Sequence, residues 1–485
     1  MPTLTPTRAT AANPVVAVVV LCLGGLTAAL TQTMVIPIQT ELPQLLHTSA
    51  ANAAWVITIT LLTAAISMPV AGRLADLFGK QRVLVGTATI LLVSSVICAL
   101  SSTLAPMLIG RALQGLALGF IPVGISLIRE ITPPQMASTA MASMSATLGV
   151  GGAIGLPLAA WIVQSGSWHA LFWVSAGMAA IVLALVWVAV PHVQDAQPGR
   201  LDLVGTVGLA VGLASFLVGI SKATTWGWGD PRTLGAIVAG LVVLLLWGAY
   251  ELRQSDPLVD LRTTATLPIL MTNIAAVAIG FGMMAQSIVV PQLLQLPEST
   301  GYGLGQTILA AGLWMAPAGL MMLLFAPISA RLIGTLGAKT TLMTGAVVLG
   351  AGYLVAFFLM DAPWQLLVAS CVTSAGVGIG YAAMPTLILD NAPVREAASA
   401  VGLNSLMRSM GTTLAAAVMG TLLTSQTSSF GTVEIPTKGA FQLCFVVGAV
   451  AAFAGAAIAL GIPRRQRVVP NLLVEHPATA SAESH

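Results

Sequence analysis

Fourteen times along this chain the sequence runs for about twenty residues with almost no charge, long enough each time to cross a ~30 Å hydrocarbon layer as a helix. The runs lie near 14–38, 51–72, 83–103, 106–129, 139–163, 169–190, 203–221, 232–250, 266–290, 307–330, 340–360, 364–388, 398–425 and 439–462. Composition closes off a large soluble core. Only 7% of the 485 residues are charged and 57% are hydrophobic, whereas soluble domains carry about 25% charged residues. The expected fold is an all-α polytopic membrane protein with fourteen transmembrane helices.

Several other classes fall away. A net charge of +3 is too small to indicate nucleic acid. Cys22, Cys98, Cys371 and Cys444 each sit inside an apolar run without a close partner, as small buried hydrophobes do. No GxxxxGK[ST] loop is present to bind a nucleotide, and no His or carboxylate cluster lies at membrane depth. Neither a metal nor a cofactor is expected. The start of the chain is polar from Pro2 to Asn13 and then apolar for too long to be a cleavable leader, so the first span is expected to serve as an uncleaved insertion signal.

Lys and Arg accumulate on the cytoplasmic side of membrane proteins. With the N-terminus inside, fourteen of them fall in inner loops and tails, among them Arg73, Lys80, Arg82, Arg129, Arg331 and Lys339. The outer loops hold Lys222, Arg232 and Lys438. Both termini are therefore expected in the cytoplasm.

The chain also repeats. GRLADLFGK at 72–80 matches ARLIGTLGA at 330–338, and REITPPQMASTA at 129–140 matches LDNAPVREAASA at 389–400. These offsets predict two six-helix halves, 14–190 and 266–462. Between them stands a linker, 191–265, holding an inserted helix pair near 203–250. Tails of 1–13 and 463–485 complete the division. Such halves rock about a site near the bilayer midplane.

Three motifs carry a family resemblance. Gly72-Arg73-Leu74-Ala75-Asp76-Leu77-Phe78-Gly79-Lys80-Gln81-Arg82 resembles the loop 2–3 signature of the major facilitator superfamily. A glycine there lets two helices approach, and an aspartate accepts from backbone N–H groups at a helix start. The resemblance implies a conformational latch for Gly72, Asp76, Gly79, Lys80 and Arg82, with Leu77 replacing the family's usual Arg. A plain basic loop is the other reading. In the fourth span, Gly110-Arg111-Ala112-Leu113-Gln114-Gly115 resembles the signature whose Arg is linked to proton transfer; an Arg bonded to backbone carbonyls is the alternative. In the fifth, Gly151, Gly155 and Pro157 resemble the antiporter signature, a pattern that close helix packing alone also explains. Together these imply a major facilitator fold of the fourteen-helix drug:proton antiporter branch, expected as a monomer among membrane lipids.

One departure matters. The branch usually carries an Asp in the first span where this chain has Thr31, and no carboxylate falls at a predicted midplane. Glu41, about ten residues further on, is the nearest titratable candidate for proton coupling, with Arg111 as its electrostatic partner; a solvated span end is the alternative. Thr31, Gln32, Gln114, Asn273, Gln286, Trp314, Asn404 and Arg408 are candidates to line a substrate cavity. Arg408 could instead bond neighbouring carbonyls. Two arginines without an acid would favour neutral or weakly anionic amphipaths. The expected activity is export of lipophilic small molecules by alternating access, with protons as the coupling ion. A dedicated carrier of one metabolite shares every motif.

Overall fold

The computed structural model describes residues 13–39, 41–193, 196, 199–430 and 433–463. The expected tails, with Arg8, Arg464, Arg465 and Arg467, lie outside the described residues except for Asn13 and Pro463. Fourteen helices are long and apolar enough to cross a membrane. The first six are α1 (Pro14–Thr33), α2 (Trp55–Phe78), α3 (Lys80–Leu100), α4 (Leu104–Ile131), α5 (Pro134–Ser165) and α6 (His169–Ala189). An inserted pair follows, α7 (Leu203–Trp226) and α8 (Pro231–Glu251). The last six are α9 (Leu267–Gln295), α10 (Ile308–Leu336), α11 (Ala338–Phe358), α12 (Pro363–Asn391), α13 (Ala397–Ser425) and α14 (Lys438–Leu460).

Local chemistry sets the ends. Pro134, Pro231 and Pro363 open helices at the first position, where a missing N–H costs nothing. Asp202 and Asp230 cap α7 and α8 through their side chains. Gly79 at φ 93° and Gly337 at φ 85° each end one helix and begin the next without a loop. These two glycines occupy matching places in the repeat, so the sequence similarity is also a similarity of backbone.

Two apolar clusters form the halves. Leu21, Phe120, Val123 and Ile125 centre the first; Tyr353, Phe441, Phe445 and Ile279 centre the second. Helices surrounded by lipid gain little from burying apolar surface, so close packing of small residues has to hold them. Gly345 of α11 accordingly lies against the backbone of Gly376 and Gly380 on α12. Leu209, Leu213 and Leu217 of α7 meet Leu258 and Val259 of the following linker, together with Leu403 and Leu406 of α13 and Ala65 of α2. The inserted pair is thus seated on the junction of the two halves, and α8 turns Leu245 and Leu246 outward.

The structure corrects the sequence reading at three places. The 72–78 motif is the last two turns of α2 rather than a loop, because nothing before Gly79 interrupts the helix. Lys222 belongs to α7 rather than to an outer loop; it is buried, with its ammonium 4.9 Å from the centre of the Trp55 ring. Between α13 and α14 stands a hairpin that was not anticipated, β1 (Thr427–Phe430) paired antiparallel with β2 (Val433–Pro436).

Candidate functional site

At the end of the bundle that carries the Arg- and Lys-rich connections, here the basic end, α2 crosses α13. The first turn of any helix has backbone N–H groups without partners, and those of α13 are met from the other half. Asp76 Oδ1 accepts from Ala398 N at 3.0 Å, and Oδ2 accepts from Ser399 N at 2.9 Å. Both contacts are charge-assisted and buried. The backbones come this close because Gly72 faces the Ala398 carbonyl and Gly402 faces the Met68 carbonyl, with no room at either place for a Cβ.

The other members of the motif divide their duties. Lys80 reaches Glu130 at 2.8 Å, within the first half. Gly79 supplies the positive-φ turn. Arg82 is exposed and away from the seam. Two residues that sequence reasoning had not assigned complete the seam: Arg129 Nη2 stands 2.6 Å from Asp390 Oδ1, one half against the other. The signal was present, since the 129–140 and 389–400 copies of the repeat are the segments that carry them. Arg73 stands 3.9 Å from Asp256 and thereby ties the linker after α8 to the seam.

The polar residues within the spans fall into two groups. Arg111 is 1% exposed and committed. Its Nε donates to Val56 O at 3.2 Å, and its Nη1 donates to Thr31 O at 3.2 Å and to Gln114 Oε1 at 2.7 Å. Gln114 in turn donates to Ser95 Oγ. Thr31 bonds back to Thr27 O. Gln286 is held by Thr373 and the Ser370 carbonyl, and Trp314 donates to Gln306. Arg111 and Glu41 are not brought together: Glu41 is exposed in the short turn after α1 and makes no ion pair among the described residues.

Arg408 is different. It is 5% exposed, and a Cβ on Gly280 of α9 would strike its carbonyl, so α9 and α13 touch here. Its guanidinium carbon lies 4.5 Å from the centre of the Tyr381 ring. Among the described residues it makes no hydrogen bond or ion pair. One turn earlier Asn404 donates to Asn273 at 2.9 Å, and Asn273 Nδ2 remains unpartnered. Gln32 is half-buried, and its side chain makes no hydrogen bond among the described residues. Arg408, Asn273 and Gln32 are thus the candidates still able to receive a ligand. A groove of about 460 Å³ between α3 and α6, lined by Val85, Leu92, Leu183 and Trp187, opens sideways and touches none of them.

The small-residue face of α5 works in two directions. Gly151 and Gly155 pack on Ala29 and Thr33 of α1, and Thr33 Oγ1 donates to Gly151 O at 3.2 Å. Gly149 receives Met322, Ala153 receives Gly319, and Pro157 lies 3.6 Å from where a Cβ on Gly312 would sit. The face therefore forms a second inter-half seam, α5 on α10.

A family model described as Major Facilitator Superfamily matches residues 21–285 and 272–482. The chain belongs to the major facilitator superfamily. Among relatives of this superfamily protein, a tetracenomycin C resistance and export protein of Streptomyces glaucescens is 29% identical over 429 residues, spanning 87% of this chain and 78% of that one. A multidrug resistance protein B homolog of Mycobacterium tuberculosis is 26% identical over 385 residues, spanning 77% and 69%. Among solved structures, the human organic anion transporter MFSD10 (TETRAN) superposes with a TM-score of 0.64 at 16% identity, over 92% of this chain and 99% of that one. The proton:xylose symporter XylE does so with a TM-score of 0.63 at 14% identity, over 93% and 96%. These likenesses extend to the fold. A facilitator of this kind is a multi-pass membrane protein that moves small molecules.

Proposed function

We propose that this protein is a secondary active exporter of lipophilic or amphipathic small molecules, working by alternating access with the basic end facing the cytoplasm. The names of its relatives, a tetracenomycin C export protein and multidrug resistance proteins, support export of drug-like compounds. The observation that carries the substrate class is Arg408. A buried cation inside a span is costly unless something offsets it, and here an aromatic ring is its only described partner. Neutral and weakly anionic amphipaths are the compounds such a site favours.

The test is accumulation of a neutral and an anionic lipophilic dye in pump-deficient cells, with and without a protonophore. Expression is expected to lower accumulation of both dyes, and the protonophore to restore it. Arg408→Gln is expected to weaken export of the anionic dye by on the order of tenfold, since a charge-assisted contact contributes about 1.5–3 kcal/mol. Export of the neutral dye should change far less. Unchanged accumulation of every dye would displace this reading in favour of a carrier dedicated to one metabolite.

Proton coupling is part of the same proposal, with the protein acting as a monomer. Glu41 is its candidate carboxylate, although Glu41 and Arg111 do not meet in this conformation. Glu41→Gln is expected to leave any remaining export insensitive to the protonophore. Export that stays sensitive would move coupling to another group.

A further inference from the structure

At the basic end of the inserted helix pair, two carboxylates face each other below the surface. Glu251 closes α8 and is 2% exposed. Its Oε2 accepts from Leu258 N at 3.0 Å, and its Oε1 has no partner. Asp202 caps α7. Its Oδ1 accepts from Gly205 N at 2.8 Å and from Tyr250 Oη at 3.2 Å, while its Oδ2 is buried without a partner. The two unpartnered oxygens converge on one point: a Cβ placed on Gly205 would strike both Glu251 Oε1 and Asp202 Oδ2. Among the described residues no cation pairs with either carboxylate. Arg262 donates instead to the Leu252 carbonyl, Arg73 pairs with Asp256, and Arg200 and Arg253 are exposed. Trp247, one turn back on α8, leaves its indole N–H unpartnered. A single neutral donor there does not offset a second carboxylate.

Two like charges brought this close, Glu251 buried and Asp202 half-buried, repel with little solvent between them to screen the repulsion. We propose that Asp202 and Glu251 together form a proton-binding site that holds one proton at neutral pH, carried by Glu251. The helix ends decide which residue carries it. Asp202 stands at a helix N-terminus, where the backbone dipoles favour an anion; Glu251 stands at a helix C-terminus, where they oppose one. The proton comes from water and adds to a carboxylate oxygen, so no other group is consumed. The site bears on the seam because Leu258, whose N–H Glu251 holds, is buried with Val259 against Leu403 and Leu406 of α13.

The test is infrared difference spectroscopy of the purified full chain through a pH titration, reading the carbonyl stretch of protonated carboxyl groups. The wild type is expected to show such a band at neutral pH, and Glu251→Gln to lose it. In Asp202→Asn the midpoint of the band is expected to fall by on the order of one pH unit or more, because the like charge is gone. Absence of the band from the wild type, its persistence in Glu251→Gln, or an unmoved midpoint in Asp202→Asn would each overturn the proposal. Should Glu251→Gln fail to fold, the wild-type band and the Asp202→Asn midpoint still decide it. None of these readouts involves a substrate, so the export reading stands or falls separately.

Discussion

Replacing Asp76 with alanine is expected to open the basic end of the protein. The carboxylate accepts from both Ala398 N and Ser399 N of α13, and no other side chain among the described residues reaches them. Hydrogen bonds to a charged group are worth about 1.5–3 kcal/mol each, so losing two removes at least about 3 kcal/mol from the closed arrangement. That is roughly a hundredfold shift between conformations. Arg129–Asp390 would remain, but it is about one-third exposed on each side and correspondingly weak. Cysteine alkylation reads the change. Ser399 is buried in the seam, and Ser399→Cys should be protected in the wild-type background and labelled in the Asp76→Ala background. Asp76→Asn, which keeps one acceptor, should fall between them. Equal protection in all three would mean that glycine-mediated contact closes the seam without the carboxylate.

Arg111 is expected to show the largest effect on folding. Its guanidinium joins three helices by donating to carbonyls on α1 and α2 and to Gln114 on its own helix. Arg111→Met leaves the Thr31 carbonyl and Gln114 Oε1 without their buried donor, at about 1–3 kcal/mol each, while Val56 O keeps the Thr60 hydroxyl. Arg111→Lys is not a rescue, because a single ammonium cannot reproduce the fork that reaches Val56 and Thr31 at once. Both variants should unfold well below the wild-type temperature in detergent and accumulate poorly in membranes. If they melt normally yet fail to transport, Arg111 acts on the moving ion or substrate and its carbonyl contacts are incidental.

Thr31 adjoins the same arginine. Its carbonyl accepts from Arg111 while its hydroxyl turns back to Thr27, so the position where the antiporter branch usually carries an Asp lies directly against the buried arginine. In this chain the arginine takes backbone carbonyls instead.

The spans were legible in the sequence because hydropathy and length are summed over twenty residues, and an error of a few positions does not change the count. The repeat was legible because Gly79 and Gly337 hold the same strained backbone, which few residues other than glycine adopt. Asp76 could be singled out by its spacing from Gly72 and Gly79, but its two partners lie more than 320 residues away and could not be named. Among the intramembrane polar residues, sequence could not separate Gln286, which bonds within its own half, from Arg408, which is uncommitted. The difference depends on how neighbouring helices are rotated, and apolar runs do not encode that clearly. Glu251 was hidden for the opposite reason. A carboxylate at a span end looks solvated until Leu258 folds over it.

The two inter-half seams are built from different materials. In the repeat's second copy, the position of Asp76 is held by Gly334, and among the described residues the first turn of α5 receives no side-chain cap. The α2–α13 seam, fastened by charge, is therefore expected to act as a clasp that opens by breaking a few strong bonds. The α5–α10 seam has glycines meeting side chains and no carboxylate of this kind among the described residues, so it is expected to yield by sliding, as a hinge does. Although its halves resemble each other, the molecule is expected to swing open from one side, and substitutions on the two seams should differ in kind: those at the clasp change how often it opens, those at the hinge change how far.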